Sequence, residues 1–403
     1  MNLLVYPHDL YLGGSETNAI ELAAGVRDLG HDVTVVARTG PLMEIIERLG
    51  LSFIQLDRPT ESLAFRTKVR RLRRVIREGR YDVIHAYEFK ACLEAQAALG
   101  FLTSPSLLAT EMSMVVPRRF PKTVPLIMGT EALGIEAERR GVRRVFTMVP
   151  PVDIEKNHPS VDGRDFLKEH DLSDSALKVL VVSRLDRELK REGIERTIDA
   201  VAMLSQDFRM QLVVVGSGQC YEYFEERARQ VNAEVGRRTV ILTGPKTDPR
   251  PAYATADVVV GMGHSILRGM AFGKPAIVVG ERGFSEIVSP ASIDRFRHVG
   301  FYSLGSGGDD HSRLREQLAE LLASEPRRRE LGLFSRGIVR DEHALSAGAL
   351  KLEEIYRQLG SRRPIDGARL RETADLTFTL ARSKARRIRA GMTRLPASQG
   401  GAL

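Results

Sequence analysis

Short apolar runs alternate with amphipathic stretches along most of the chain. The first series of runs predicts seven strands, at 3–6, 32–37, 52–56, 82–86, 107–110, 126–129 and 144–149. Nearly every residue in these runs is apolar, rather than every second one, which is typical of parallel strands buried on both faces. Because helical stretches separate the runs, the pattern predicts a parallel sheet flanked by helices.

A second series of the same kind follows a break in the pattern. Residues 150–159 contain three prolines and interrupt regular structure, so we place an interdomain linker there. The later runs predict strands at 178–183, 211–216, 239–243, 257–261 and 276–280, and the pattern from 312 to 359 is helical. We therefore predict two doubly wound α/β domains in series. The expected divisions are 1–150, a linker region 151–176, a second domain 177–345, a closing helix 346–360 and a basic, partly disordered tail 361–403.

Length and composition exclude several classes of protein. At 403 residues the chain is long enough for two to three domains. No apolar run approaches the roughly 18 residues of a membrane span, and no basic region precedes Pro7 as it would in a secretory signal. The two cysteines are far apart, so neither a disulfide framework nor a zinc site is expected. We expect a cytoplasmic protein.

The positive charge is concentrated in two segments. Residues 361–403 carry +7 of the net charge of +8, and residues 66–80 hold eight Arg or Lys against Glu78 alone. Such clusters suit phosphate-bearing partners, and an anionic membrane surface is one candidate partner for both segments. The alternative for 66–80 is a helix that covers the N-terminal sheet with its arginines in solvent. Nucleic acid is not favoured, because aromatic residues make up 6% of the chain, Trp is absent and no binding module is evident.

A glycine-rich turn follows the first predicted strand. Gly13 and Gly14 precede Ser15, Glu16 and a helical run, so backbone N–H groups could approach a phosphate or a sugar at the helix N-terminus. The alternative is an ordinary tight turn in which Ser15 caps the helix and Glu16 stabilises its first turn.

Two cations follow the first strand of the second series. Arg184 leaves the apolar run, and Lys190 stands six residues later, ahead of a helix. Two fixed cations directed into a cleft could stabilise a departing diphosphate without a metal ion. A solvated charged loop is the alternative interpretation.

Two further glycine-rich turns follow later strands. Gly216 and Gly218 resemble the start of a dinucleotide fingerprint, but Tyr221 stands in place of its third glycine, which disfavours a nicotinamide enzyme. Residues 256–275 predict a strand, a glycine turn and a short helix, and the next strand leads to 280–286.

Taken in order, these motifs resemble those of retaining glycosyltransferases of family four, which have the GT-B fold. The resemblance covers about residues 1–358 and includes Gly-Gly-Ser-Glu at 13–16, Gly-Met-Ala-Phe-Gly-Lys-Pro at 269–275 and Gly-Phe-Ser-Glu at 283–286. It implies two Rossmann-like domains facing a cleft, with a nucleotide-activated sugar on the second domain and the acceptor on the first.

The resemblance also implies roles for individual residues. Arg184 and Lys190 would hold the diphosphate as the catalytic pair, while His85 would lie near the cleft or, alternatively, be structural. The residues expected to bind substrates are Gly13, Gly14, Glu16, His85, Gly216, Gly218, Gly263, His264, Arg268, Gly283, Phe284, Ser285 and Glu286.

One departure from the family pattern affects the donor site. The family usually carries two glutamates eight positions apart, and here Val260 and Arg268 stand in those places. Either Arg268 adds a third cation for a donor phosphate, or the donor site binds without reacting. The chain contains no Asp-x-Asp triplet, so we expect metal independence and no cofactor beyond the substrate.

The resulting hypothesis is a transferase of polysaccharide biosynthesis. It would move a sugar with retention from a nucleotide-diphosphate donor to a glycan or lipid-linked acceptor, in the cytoplasm or at the inner face of the membrane. A binding protein for a sugar nucleotide or a partner protein, and a sugar-nucleotide epimerase, are the alternatives.

Overall fold

The structure, a computed structural model, contains two parallel α/β sheets. It describes residues 1–11, 13–56, 65–100, 102, 104–307, 311–360 and 367–375. The first sheet has seven strands in the order β3-β2-β1-β4-β5-β6-β7, and the second has six in the order β10-β9-β8-β11-β12-β13. All neighbouring strands are parallel except β12 and β13, which are antiparallel.

The strands of the first sheet coincide with the seven apolar runs predicted from the sequence. They are β1 (Asn2–Asp9), β2 (Asp32–Arg38), β3 (Ser52–Gln55), β4 (Val83–Tyr87), β5 (Ser106–Glu111), β6 (Leu126–Met128) and β7 (Val145–Thr147). The central strands β4 and β5 are buried at every position, which explains why their sequences do not alternate.

The second sheet contains the five predicted strands and one that was not predicted. They are β8 (Leu177–Val182), β9 (Met210–Val215), β10 (Val240–Gly244), β11 (Val258–Gly261), β12 (Ala276–Val279) and β13 (Ser285–Ile287). The additional strand, β13, is short and lies at the edge, so its three residues give no periodic signal.

Helices connect the strands and cover both sheets. The helices of the first part of the chain are α1 (Gly14–Asp28), α2 (Met43–Leu49), α3 (Phe65–Gly79), α4 (Glu88–Leu99), α5 (Glu131–Arg139), α6 (Arg164–Glu169) and α7 (Arg191–Leu204). Those that follow are α8 (Tyr221–Val235), α9 (Arg250–Thr255), α10 (His264–Ala271), α11 (Ile293–Val299), α12 (His311–Ala323), α13 (Glu325–Glu342) and α14 (Leu345–Leu359).

The last of these helices, α14, returns to the first sheet. Ala349, Leu352 and Tyr356 belong to the same apolar cluster as residues of α1 and β1. A Cβ at Gly25 of α1 would lie only 3.0 Å from the Cβ of Ala349, so the two helices pack closely at a glycine. The chain therefore crosses between the sheets twice.

The basic helix α3 covers the first sheet. Leu72 and Ile76 are buried in the cluster that holds strands β1 and β4 together. Its exposed arginines include 66, 70, 74 and 77, which share one face at helical spacing. The apolar face of α3 is therefore packed on the sheet, as the sheet-covering interpretation predicts, and the exposed arginine row remains at the surface.

The basic tail is described only between residues 367 and 375, which form a helix. Glu372 of this helix accepts hydrogen bonds from the backbone N–H of Lys122 at 2.9 Å and from the hydroxyl of Thr123 at 2.7 Å. Arg369 donates to the carbonyl of Leu102 at 3.1 Å. The helix is thus attached to the first domain, and the predicted disorder of 361–366 and 376–403 lies outside the described residues.

The strand orders fix where a ligand site is expected. In the first sheet the order reverses between β1 and β4, and in the second between β8 and β11. The loops that follow such strands diverge and leave a crevice at the carboxyl edge of the sheet. The glycine turn after β1 and the loop after β8, which carries Arg184, both start at these edges.

Candidate functional site

The glycine turn after β1 lies against the second domain. Gly13 is extended and precedes α1, and the carboxylate of Glu16 folds back against it so closely that a Cβ at Gly13 would overlap it. A Cβ at Gly14 would lie 3.8 Å from the Cβ of His264, the first residue of α10. The start of α1 thus lies next to the start of α10, and the absence of a side chain at Gly13 makes room for the Glu16 carboxylate.

The loop after β8 is held by a second glycine turn. Leu185 is fully buried, and its N–H donates to the carbonyl of Ser217 at 2.9 Å. Gly216 has φ 146°, and a Cβ there would overlap the carbonyl of Ser183, while a Cβ at Gly218 would lie 2.7 Å from the backbone of Leu185. Both glycines are needed for this close packing, which fixes the backbone on either side of Arg184.

Arg184 and Lys190 lie within electrostatic reach of each other. Burial, and then the positive charge of Arg184, lowers the pKa of Lys190 to about 8, with Asp186 acting in the opposite direction. Arg184 is exposed over 64% of its side chain and lies 3.5 Å from Asp186. Among the described residues, no carboxylate forms a salt bridge with Lys190. The loop thus presents two cations that are incompletely neutralised.

Glu16 connects these cations to the opposite side of the cleft. Burial raises the pKa of Glu16, and the charge of Asp9 raises it further, whereas the charge of Arg184 lowers it. An electrostatic effect of Arg184 on Glu16 indicates that these two charges, one from each domain, lie within interaction range of each other. Their joint role in a substrate site stays a prediction.

Helix α10 carries Gly263, His264 and Arg268 to the same region. Gly263 has φ 61° and open space beside its Cα, so it forms part of the cleft wall. The Nε2 atom of His264 lies 3.0 Å from the carbonyl of Pro151, and burial lowers the pKa of His264 to about 3. The histidine is therefore neutral and donates to the linker. Arg268 donates to Glu21 of α1 at 2.8 Å, so its charge is already paired across the cleft.

The segment 283–286 is largely engaged in contacts within the second domain. Phe284 and Ser285 are buried, and Ser285 begins β13. The carboxylate of Glu286 accepts from Arg295 at 2.8 Å. Gly283 has φ 78° and donates its N–H to Glu192 of α7 at 2.6 Å. A sugar-binding role for this segment stays a prediction.

His85 is also corrected by the structure. It lies within β4, is 1% exposed, and its two ring nitrogens lie 2.8 Å from the hydroxyl of Tyr356 and 2.7 Å from that of Thr110. With both nitrogens bonded and burial lowering its pKa to about 3, His85 is a neutral residue that joins β4 to β5 and α14. The structural alternative applies, and no contact with substrate is expected.

A carboxyl pair at the ends of β4 and β5 was missed by the sequence reasoning. Glu111 accepts from the N–H of Phe89 at 2.9 Å, and Glu88, with φ 71°, accepts from the N–H of Met112 at 3.4 Å. Burial, and then the neighbouring Glu111, raises the pKa of Glu88 to about 9, while a hydrogen bond from Ser15 lowers it. Glu88 is thus protonated at neutral pH. The signal available in the sequence was an acidic residue at the end of each of two buried strands: Glu88 directly follows β4, and Glu111 is the last residue of β5.

The chain matches two family models of sugar-transferring enzymes. Residues 13–219 match the "Glycosyl transferase 4-like domain" and residues 176–323 match "Glycosyl transferases group 1". The first match covers more than half of the chain, which therefore belongs to the glycosyl transferase 4-like family.

Similar proteins agree with this assignment. Over 154 residues the chain is 27% identical to an uncharacterized glycosyltransferase of Methanocaldococcus jannaschii, and the match covers 36% of this chain but only 38% of that relative. HepE of Anabaena, solved with UDP and glucose, has a TM-score of 0.70 at 17% identity over 89% of this chain and all of HepE. WaaG, a glycosyltransferase involved in lipopolysaccharide biosynthesis, has a TM-score of 0.62 at 15% identity over 88% of this chain and 99% of WaaG. These likenesses show that the fold is GT-B.

None of the helices in the described part of the chain combines the length and the apolar character that crossing a bilayer requires.

Proposed function

We propose that this protein transfers a sugar with retention from a nucleotide-diphosphate donor to a hydroxyl of a glycan or lipid-linked acceptor. The observation that carries the proposal is the loop after β8, which brings Arg184 and the buried Lys190 within electrostatic reach of each other, and Arg184 within reach of Glu16 in the glycine turn of the other domain. HepE, with the same fold, binds UDP and UDP-glucose, which supports a nucleotide sugar as the donor.

The proposed chemistry uses the two cations on the leaving group. The bond between the anomeric carbon and the phosphate oxygen breaks, and the acceptor oxygen bonds to the same face of that carbon. The acceptor proton passes to a phosphate oxygen of the departing nucleotide diphosphate. Arg184 and Lys190 neutralise the negative charge that develops there, an effect worth about 3–4 kcal/mol for a well-placed donor. This scheme needs no metal ion, and we propose that the transfer is metal-independent.

The first domain would bind the acceptor. Glu88 and Glu111 lie at the carboxyl edge of its sheet, where Glu111 accepts from the N–H of Phe89 and Glu88 accepts from the N–H of Met112. The Glu88 carboxyl, whose raised pKa favours its protonated form, offers both an O–H donor and a carbonyl acceptor to a sugar hydroxyl. The role of WaaG in lipopolysaccharide biosynthesis supports an acceptor that belongs to a growing polysaccharide.

A binding protein that does not react is the second candidate. It would follow if the glutamates that the family pattern implies at positions 260 and 268 are required, because Val260 is buried within β11 and Arg268 is paired with Glu21. Neither side chain is available to recognise a ribose or a sugar in the usual way.

Donor turnover by the purified protein separates these candidates. The protein is incubated with uridine and guanosine diphosphate sugars, and release of nucleotide and transfer to oligosaccharide acceptors are measured. Transfer that is lost in Arg184→Ala and kept in Arg187→Ala, an exposed neighbour on the same loop, supports the enzyme. Nucleotide binding without turnover supports the binding protein, and formation of a free isomerised sugar supports an epimerase.

We further propose that the protein works at an anionic membrane surface. The exposed arginine row of α3 and the attached helix 367–375 lie on one domain, and α3 reaches the end of α4 through hydrogen bonds from Arg73 to Ala97 and Ala98. Leu102, whose carbonyl accepts a hydrogen bond from Arg369 of the tail helix, lies shortly after the end of α4. Each surface cation can add about 1 kcal/mol of attraction to anionic lipid.

A further inference from the structure

One ion pair joins the helices that begin at the two sides of the cleft. Arg268 of α10 donates to the carboxylate of Glu21 of α1 at 2.8 Å, and their side chains are only 15% and 16% exposed. Helix α1 starts at the glycine turn, and α10 starts at His264, against which Gly14 packs. The pair therefore lies about two helical turns from Gly14 and about one turn from His264, on the helices that carry these contacts.

The pair is poorly satisfied for its degree of burial. Within the described part of the chain, Oε2 of Glu21 and Nε of Arg268 are buried without a hydrogen-bond partner. Burial raises the pKa of Glu21 and the charge of Arg268 lowers it, with Asp153 acting to raise it and Lys156 and Arg250 acting to lower it. Buried ion pairs with unpaired atoms contribute little to stability over apolar residues of the same size. A gain in stability alone does not explain this arrangement.

A second ion pair between the domains provides a contrast. His298 of α11 lies 3.1 Å from Glu131 of α5, with side chains 52% and 65% exposed. Exposed pairs of this kind are worth about 0–1 kcal/mol and are screened by salt. The Glu21–Arg268 pair, shielded from solvent, imposes a much stricter geometry on the helices that it joins.

We propose that Glu21 is a positioning residue: by holding Arg268 it fixes the separation of α1 and α10, and with it the width of the cleft between the glycine turn and the two cations. This inference rests on the proposed function for its kinetic consequence, but its structural consequence is independent of any reaction. Donor binding needs the closed cleft. The apparent donor affinity therefore falls in proportion to the fraction of molecules in which the cleft is closed. The rate at saturating donor is unchanged, because bound donor restores the closed state.

The experiment is a double-mutant cycle with a matched control. Glu21→Gln, Arg268→Gln and the double variant are compared with Glu131→Gln, which removes a charge from the exposed pair. The radius of gyration from small-angle X-ray scattering, the rate of proteolysis in the linker 150–159, and UDP affinity are measured for each. Where a nucleotide sugar is turned over, donor KM and kcat are measured as well.

We expect each single variant to have a larger radius of gyration and faster cleavage of the linker. UDP affinity should fall about tenfold and donor KM should rise about tenfold, while kcat stays within twofold. The double variant should be no worse than either single one, because both remove the same contact. Glu131→Gln should match the unmodified protein. Arg268→Lys keeps the positive charge, so it should recover part of the UDP affinity that is lost in Arg268→Gln. This variant also tests the inference if Glu21→Gln does not fold.

Three results would overturn the inference: unchanged scattering and UDP affinity in both single variants, additive effects in the double variant, or a loss of thermal stability with no change in the cleft. Failure of the proposed function has a different signature. In that case no nucleotide sugar is turned over by any variant, while scattering and proteolysis still respond to the loss of Glu21.

Discussion

Lys190 makes donor binding depend on pH in a defined direction. Burial and the neighbouring Arg184 lower its pKa from the ordinary 10.5 to about 8, so the free protein loses this charge as the pH rises through 8. A bound diphosphate stabilises the charged form and raises the pKa of Lys190. Binding must therefore take up a proton above pH 8, and affinity falls as the pH rises.

The size of the effect follows from that pKa. At pH 7 about nine-tenths of the Lys190 side chains carry a proton, and at pH 9 about one-tenth do, so the affinity for a diphosphate should fall about tenfold, or about 1.4 kcal/mol. Burial lowers this pKa most, Arg184 lowers it further and Asp186 raises it. All three act on the lysine, so the transition is assigned to Lys190.

Titration calorimetry with UDP tests this prediction. Measurements in two buffers of different ionisation enthalpy give the proton uptake, and the uptake in excess of that in Lys190→Arg should approach one proton at pH 9 and be near zero at pH 6.5. Lys190→Arg is the matched control, since arginine stays charged and should bind UDP without this uptake. Equal proton uptake at pH 9 in both proteins, or none in the unmodified one, would refute the assignment of Lys190 to the diphosphate.

Three further predictions concern the rest of the site. Arg184→Ala should lower the rate of transfer by about two to three orders of magnitude with little change in melting temperature, whereas Arg187→Ala should do neither; equal rates in both would contradict the role of Arg184. Gly216→Ala should destabilise the protein by about 1–3 kcal/mol in denaturant unfolding, because the added Cβ overlaps the carbonyl of Ser183; an unchanged midpoint would show that the loop adapts. Truncation after Gly360 should weaken binding to vesicles that contain anionic lipid but not to neutral ones, and equal binding by both chains would exclude a membrane role for the tail.

Local sequence was sufficient for the framework of this protein. The apolar runs located the strands of both sheets except β13, because a strand buried on both faces must be apolar at almost every position. The residue types of the loops after β1 and β8 also indicated the chemistry, since glycines before a helix and cations after a buried strand have a local physical meaning. In each case the relevant information lies within a few residues of the chain.

The partners of the site residues were decided only by the tertiary structure. Arg268 is 247 positions from Glu21, and His85 is 271 positions from Tyr356, so no local pattern relates them. Whether a cation faces a ligand or a carboxylate, and whether a histidine faces a cleft or a core, depends on how the two sheets and α14 pack against each other. Long-range packing decides which polar groups are desolvated together, and desolvation sets both their charge and their use.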